Sequence, residues 1–156
     1  MKQDRFLTGI LIGIGALILV ALGLFFARQD TREYKTDGAP ASVVFNYVLA
    51  ITNRDYEKAY GSLADLDHKP TYDEFRRSFL NGMVNPDNVG LDVGEAEIDD
   101  DVASVAVNVI YSSSDPFSSN YRNLDRASLV LQADGWKISS MPYSFWDYSW
   151  YQEPFK

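Results

Sequence analysis

The sequence predicts an α+β domain behind an N-terminal transmembrane helix, with about three helices packed on a mainly antiparallel sheet of about four strands. Three observations predict it. A 22-residue stretch without a charge, Phe6 to Ala27, lies near the start of the chain. Apolar residues then recur at helical spacing between Pro40 and Gly82. From Val89 onward their period falls to two, the alternation of strands with one buried face. Helices followed by consecutive strands is the order in which helices cover one face of a meander.

After a short tail at residues 1–5, the apolar stretch reads "FLTGILIGIGALILVALGLFFA". As a helix it would extend ~33 Å, close to the ~30 Å hydrocarbon core of a bilayer. Only Thr8 and glycines relieve its apolar circumference, so it lacks the polar face of a soluble helix. A cleavable signal peptide has a shorter apolar region, ~7–15 residues, and a small-x-small cleavage site. Here the run ends "LFFARQD", with bulky Phe25 and Phe26. The chain has no cysteine, which excludes a lipid-modified cysteine anchor. An uncleaved signal-anchor over residues 6–27 is the better reading. Lys2 and Arg5 precede it while Arg28, Arg32 and Lys35 follow, so basic residues alone do not favour a cytoplasmic N-terminus. Gly9 and Gly13 form a GxxxG pair, a spacing that lets two helices approach closely and form a homodimer.

Residues 38–156 carry nine basic and eighteen acidic side chains, a net charge of −9. That balance argues against nucleic acid, whose binders need a basic face to displace counterions. It also argues against docking on anionic headgroups. The expected partner of residues 6–27 is the lipid bilayer.

Residues 28–39 are polar, of mixed charge, and read as a linker. Pro40 suits a first helical turn. Val44, Tyr47, Val48 and Ile51 share one helical face, and Tyr56, Ala59, Tyr60 and Leu63 continue after "TNRD". With Asp55 as an N-cap, this segment is two helices or one helix broken near Asn53. "TYDEFRRSFLNG" is a third helix, with a Thr71/Glu74 capping box, an apolar stripe of Phe75, Phe79 and Leu80, and an Asn81-Gly82 stop. Strand alternation then places Val89, Leu91 and Val93 on one face. Ala103, Val105, Val107, Val109 and Tyr111 share a face of the next strand, after a turn at Asp99 to Asp101. A serine-rich loop leads to "RASLVLQA", and Asp134-Gly135 turns the chain into "WKISSM".

The stretches "RDYEKAY" and "DGWKI", in this order of elements, resemble the nuclear transport factor 2-like superfamily over roughly residues 40–141. The resemblance implies a strongly curved sheet that forms a cone with a pocket, in a domain of residues 40–156. Its nearest variety is similar to membrane-anchored bacterial proteins of unknown function, which implies a plasma-membrane protein with its domain outside the cytoplasm. The superfamily includes isomerases, dehydratases and non-catalytic modules, so fold does not select an activity. Rings that would line a cone pocket for a small apolar ligand are Tyr47, Tyr60, Tyr111, Trp136, Tyr143 and Trp146.

No catalytic constellation or cofactor motif accompanies these rings. His68 is the only histidine and sits in the charged connector "DLDHKP", a solvated loop rather than a general base. Without a second histidine or a cysteine a zinc site has no ligand set. Asp99, Asp100 and Asp101 lack the alternating ligand spacing of a calcium loop and read as a solvated turn. Serines 112–114 and 118–119 sit in no nucleophile elbow. No Asp or Glu falls on the apolar strand face. The leading expectation is therefore a non-catalytic binding or accessory module of the cell envelope, with a protein partner or small apolar ligand. A cone-pocket isomerase, dehydratase or hydrolase is the enzyme alternative, and a structural subunit of a membrane complex is the third.

"YSFWDYSWYQEPF", Tyr143 to Phe155, has seven aromatics in thirteen residues. Tyr143 and Phe145 keep one alternation and Trp146, Tyr148 and Trp150 take the opposite phase, which predicts a bend or bulge at Phe145-Trp146. Core or edge cover is the first reading of this tail. A pocket wall and membrane contact are the others.

Overall fold

The computed structural model describes residues 5–27, 32–112 and 120–153. Among these residues, four α-helices and a four-stranded antiparallel sheet make an α+β fold. The chain divides into two compact units, residues 1–33 and Tyr34–Lys156.

The first unit holds α1, Arg5–Ala27, a helix of 23 residues. Its side chains are described over residues 9–24, none of them charged and nearly all exposed. A Cβ added at Gly9 or Gly13 would meet nothing within 4 Å. Among the described residues no helix is long and apolar enough to cross a membrane. The backbone helix Arg5–Ala27 extends ~34 Å.

The second unit begins with an extended segment that the sequence reads as tether. The Asn46 side chain grips Lys35 twice, accepting its N–H at 2.8 Å and donating to its carbonyl at 2.7 Å. Lys58 lies over the Tyr34 ring, 3.4 Å from its centroid. Helix α2, Pro40–Thr52, starts on its proline and buries Val44, Tyr47, Val48 and Ile51. It ends at a joint in which Arg54 adopts φ 59°, so two helices replace one. Asp55 caps α3, Tyr56–Gly61, by accepting from the Lys58 N–H at 3.2 Å. The Thr71/Glu74 capping box starts α4, Tyr72–Leu80, with both reciprocal bonds formed. On α4 the expected stripe is only partly inward. Phe75 is buried and Phe79 half-buried, but Leu80 is 61% exposed and Ser78 is buried instead. Leu80 lies ~100° around the helix from Phe79, beyond the inward face.

Strands β1 (Val89–Asp99), β2 (Val102–Tyr111), β3 (Tyr121–Gln132) and β4 (Gly135–Ser140) form the sheet in sequence order. Ala103, Val105, Val107 and Val109 of β2 are buried, as are Ala127 and Leu129 of β3 and Ile138 of β4. Register breaks between Val93 and Ala96 and between Ser128 and Leu129. Such bulges bend the strands that carry them. Beside β4, Ile138 exchanges backbone bonds with Ser62 and Ala64, both 2.8 Å, which closes that part of the sheet edge.

The aromatic segment forms no strand beyond Ser140. Pro142 has no N–H for a ladder, and a single 3₁₀ turn, Tyr143–Phe145, follows it. The expected change of strand face at Phe145-Trp146 is therefore a turn, with Trp146 extended at its end. Phe145, Trp146 and Trp150 join the core between helices and sheet.

Candidate functional site

Six rings were singled out by sequence as pocket lining, and three of them share one aromatic cluster. Tyr47 on α2 stands 6.5 Å from both Phe75 and Trp146, centroid to centroid. Tyr60 on α3 reaches the same cluster through Phe75 at 5.6 Å. Trp146 then meets Trp150 at 4.9 Å and Tyr151 at 5.8 Å. Trp136 is half-buried on β4, paired across the hairpin with Leu131. Tyr111 and Tyr143 are outside the cluster. Tyr111 is 36% exposed and pairs with Tyr121, while Tyr143 is 67% exposed and stacks on Tyr148. Tyr111 is the last residue of β2 and keeps one tie to the tail, its hydroxyl 3.1 Å from that of Ser144. Tyr143 leaves the core because the 3₁₀ turn points it outward.

None of the six lines any of the three cavities below. The space between helices and sheet is filled instead, chiefly by Tyr47, Phe75, Phe145, Met141, Trp146 and Trp150, each at most 5% exposed. The tyrosine hydroxyls in this region are also committed. Tyr47 donates to the Phe145 carbonyl at 2.9 Å, Tyr60 to Pro70 at 2.9 Å and Tyr151 to Ala64 at 2.7 Å. Burial, with the neighbouring Tyr151, pushes the Tyr47 hydroxyl well above its ordinary value. Burial likewise raises Tyr60 and Tyr151, aided by Asp65 in both cases. Tyr47 and Tyr151 hold the tail in place, Tyr60 holds the connector before α4, and all three are poor proton donors to a substrate.

Access lies outside the filled interior, on either side of α4. One recess, with a volume of about 730 Å³, runs between α4, the His68–Pro70 connector and the tail. Pro70, Ser78, Asp147 and Trp150 are its buried lining residues, and Arg77, Tyr148 and Glu153 are among the exposed ones. Asp147 is the buried carboxylate that sequence reasoning missed, 8% exposed. Its Oδ1 accepts from the Ser149 hydroxyl at 2.7 Å and N–H at 2.9 Å, and its Oδ2 accepts from the Ser78 hydroxyl at 2.8 Å. Burial alone would push this carboxyl up. The Ser149 and Ser78 donors outweigh it and hold the group below the ordinary carboxylate range. An ionised carboxylate saturated by three donors is a latch between tail and α4, not a poised general base. The Asp-x-Ser spacing was legible as a turn signal, but Ser78 offered no signal beyond its place one turn after Glu74.

His68 lines this recess but is exposed, in left-handed backbone at φ 60°, with its carbonyl accepting from Tyr151 at 3.1 Å. Lys69 lies near it with its ammonium turned to the Leu63 carbonyl at 3.4 Å and to Asp65 at 4.0 Å. Asp99, Asp100 and Asp101 are exposed, and Asp100 takes the left-handed turn position at φ 49°. No group of three metal-capable side chains forms among the described residues. Serines 113, 114, 118 and 119 lie outside those residues.

The second recess, about 990 Å³, lies between α4, the α2–α3 joint and the loop into β1. A third, about 520 Å³, is lined by Lys69 and Lys137 with Asp65 and Asp134, and its lysines are paired with those carboxylates at 4.0 and 2.8 Å.

No family model matches the chain, and no curated protein matches it. Among solved structures, a SEC-C motif-containing protein from Rhodopseudomonas palustris superposes with a TM-score of 0.47 at 10% identity, over 68% of this chain and 79% of that one. A provisionally named aromatic ring hydroxylase from Novosphingobium aromaticivorans superposes with a TM-score of 0.41 at 16% identity, over 62% of this chain and 79% of that one. Both superpositions are too loose to carry an argument about chemistry.

Proposed function

We propose that this protein is a membrane-anchored, non-catalytic binding module of the cell envelope. In this reading α1 is a signal-anchor, the domain lies outside the cytoplasm, and its fold is a nuclear transport factor 2-like cone. The cone interior is occupied by the protein's own C-terminal segment. Recognition therefore takes place on the outer recesses beside α4.

One observation carries the non-catalytic reading: Phe145, Trp146 and Trp150 fill the space in which a cone enzyme would hold substrate. A second supports it. The one buried carboxylate among the described residues, Asp147, is bonded to Ser78 and Ser149 rather than to a tyrosine. A cone enzyme needs a titratable group facing a substrate-sized void.

Purification of the full chain in mild detergent, followed by denaturing extraction and mass spectrometry, tests this. The expected result is no small apolar molecule in stoichiometric amount. A stoichiometric neutral apolar ligand, with no anionic group for an outer recess to hold, would point to an occupied cone interior and sink the reading.

A further inference from the structure

The 990 Å³ recess has a chemical bias that the rest of this acidic domain does not share. Two arginines line it, Arg54 from the α2–α3 joint and Arg76 from α4, against one acidic residue, Asp87. Neither guanidinium has a hydrogen bond or ion pair among the described residues. Two asparagines add to the donor side. The Asn81 carbonyl accepts from the Met83 N–H at 3.2 Å, and the Asn85 carbonyl accepts from Asp87 at 2.9 Å. Those bonds fix the amide oxygens and leave the NH₂ ends as the free polar groups. Tyr56 and Phe79 supply an aromatic wall, stacked at 5.2 Å with 26° between their planes.

A cavity with two unpaired guanidiniums against one carboxylate, walled by flat rings, selects an acceptor-rich ligand with an apolar body. We propose that this recess binds a small organic anion, a carboxylate or phosphate on an aromatic or apolar body. The head group is held between Arg54 and Arg76 and the body lies against Tyr56 and Phe79. The inference deepens the binding-module reading by naming a ligand class, but it requires neither the anchor nor the filled interior.

Arg54 gives an independent handle. It is a non-glycine residue in left-handed backbone, φ 59°, where asparagine is the more comfortable choice. Replacing Arg54 with Asn should therefore raise thermal stability while weakening the site, and a merely structural role would not separate those two readouts.

The test uses the full chain in zwitterionic lipid discs, with empty discs as blank, titrated by ligand-observed NMR. Probes are phenylacetate, phenyl phosphate, the neutral phenylacetamide and inorganic phosphate. Saturable binding of phenylacetate, phenyl phosphate or both is expected, with the better of the two identifying the head group. Phenylacetamide and inorganic phosphate should each bind at least about tenfold more weakly than the better anion. Arg54→Asn and the exposed Arg76→Gln should each weaken that anion by about tenfold, Arg54→Asn with a raised melting temperature. No saturable binding of either aromatic anion, or equal binding of phenylacetamide, overturns the proposal. So does undiminished binding by Arg76→Gln, while inorganic phosphate binding as well as phenyl phosphate overturns the role of the aromatic wall.

Discussion

At Asp147 three hydrogen bonds decide what the carboxylate is for. A buried carboxylate without donors would be protonated and available for proton transfer, whereas Ser78 and Ser149 hold this one ionised. The consequence for stability has a definite sign. A carboxyl whose folded pKa lies below its unfolded value of about 3.9 contributes stability that is complete above that value. The contribution is lost as pH falls through the lower, folded value. Urea unfolding from pH 6 to pH 2.5 should therefore show an acid-side loss of stability that is smaller in Asp147→Asn, which has no charge to lose. An identical acid profile in the two proteins would mean that the latch is not ionised in the fold. Little of this was legible in the sequence. "DYS" reads as a turn, but a long-range bond to Ser78, 69 residues earlier, depends on tertiary packing that no local pattern encodes.

Elements whose signals are local were the most legible. The capping box at Thr71 and Glu74, the Asp55 cap and the alternation of β2 each formed where the residues indicated. All three depend on spacing within one turn or one strand. The aromatic tail was less legible. Its alternating rings imitate a strand, but Pro142 ends the ladder, and the rings are sorted by a 3₁₀ turn rather than by pleat. The bulge in β1 was not legible either. It lies at Gly94, where a Cβ would come within 3.0 Å of the Ala106 carbonyl oxygen and 3.5 Å of its Cβ. Backbone at that distance has little room to yield. Gly94→Val should cost about 1–3 kcal/mol by overpacking, read as a lower urea midpoint. The same substitution at Gly61, where a Cβ would meet open space, should avoid that clash. Equal losses at the two positions would argue against close approach as the cause.

In the molecule as a whole, an apolar N-terminal helix precedes a domain that closes its own interior. If α1 is the anchor, the full chain should stay with membranes through an alkaline carbonate wash, and residues 34–156 alone should be soluble and folded. Release of the full chain by the wash would contradict the anchor. The helical order and the antiparallel meander could be read from the sequence, because period and turn chemistry are local. That the tail fills the core could be anticipated only as one of three fates, since burial depends on which surfaces remain uncovered after the sheet has formed. Trp146 and Trp150, at 3% and 5% exposure, are the residues on which this closure depends.

The most direct measurement is therefore indole binding, followed as the shift in thermal unfolding of the wild-type chain and of Trp146→Ala. Removing a buried tryptophan should cost about 3–5 kcal/mol and leave an apolar cavity. With the interior filled by Trp146, indole should raise the melting temperature of Trp146→Ala by occupying that cavity and leave the wild type unchanged. Stabilisation of the wild type by indole, together with a loss below about 1 kcal/mol in Trp146→Ala, would contradict this, because the interior would then already be open to ligand.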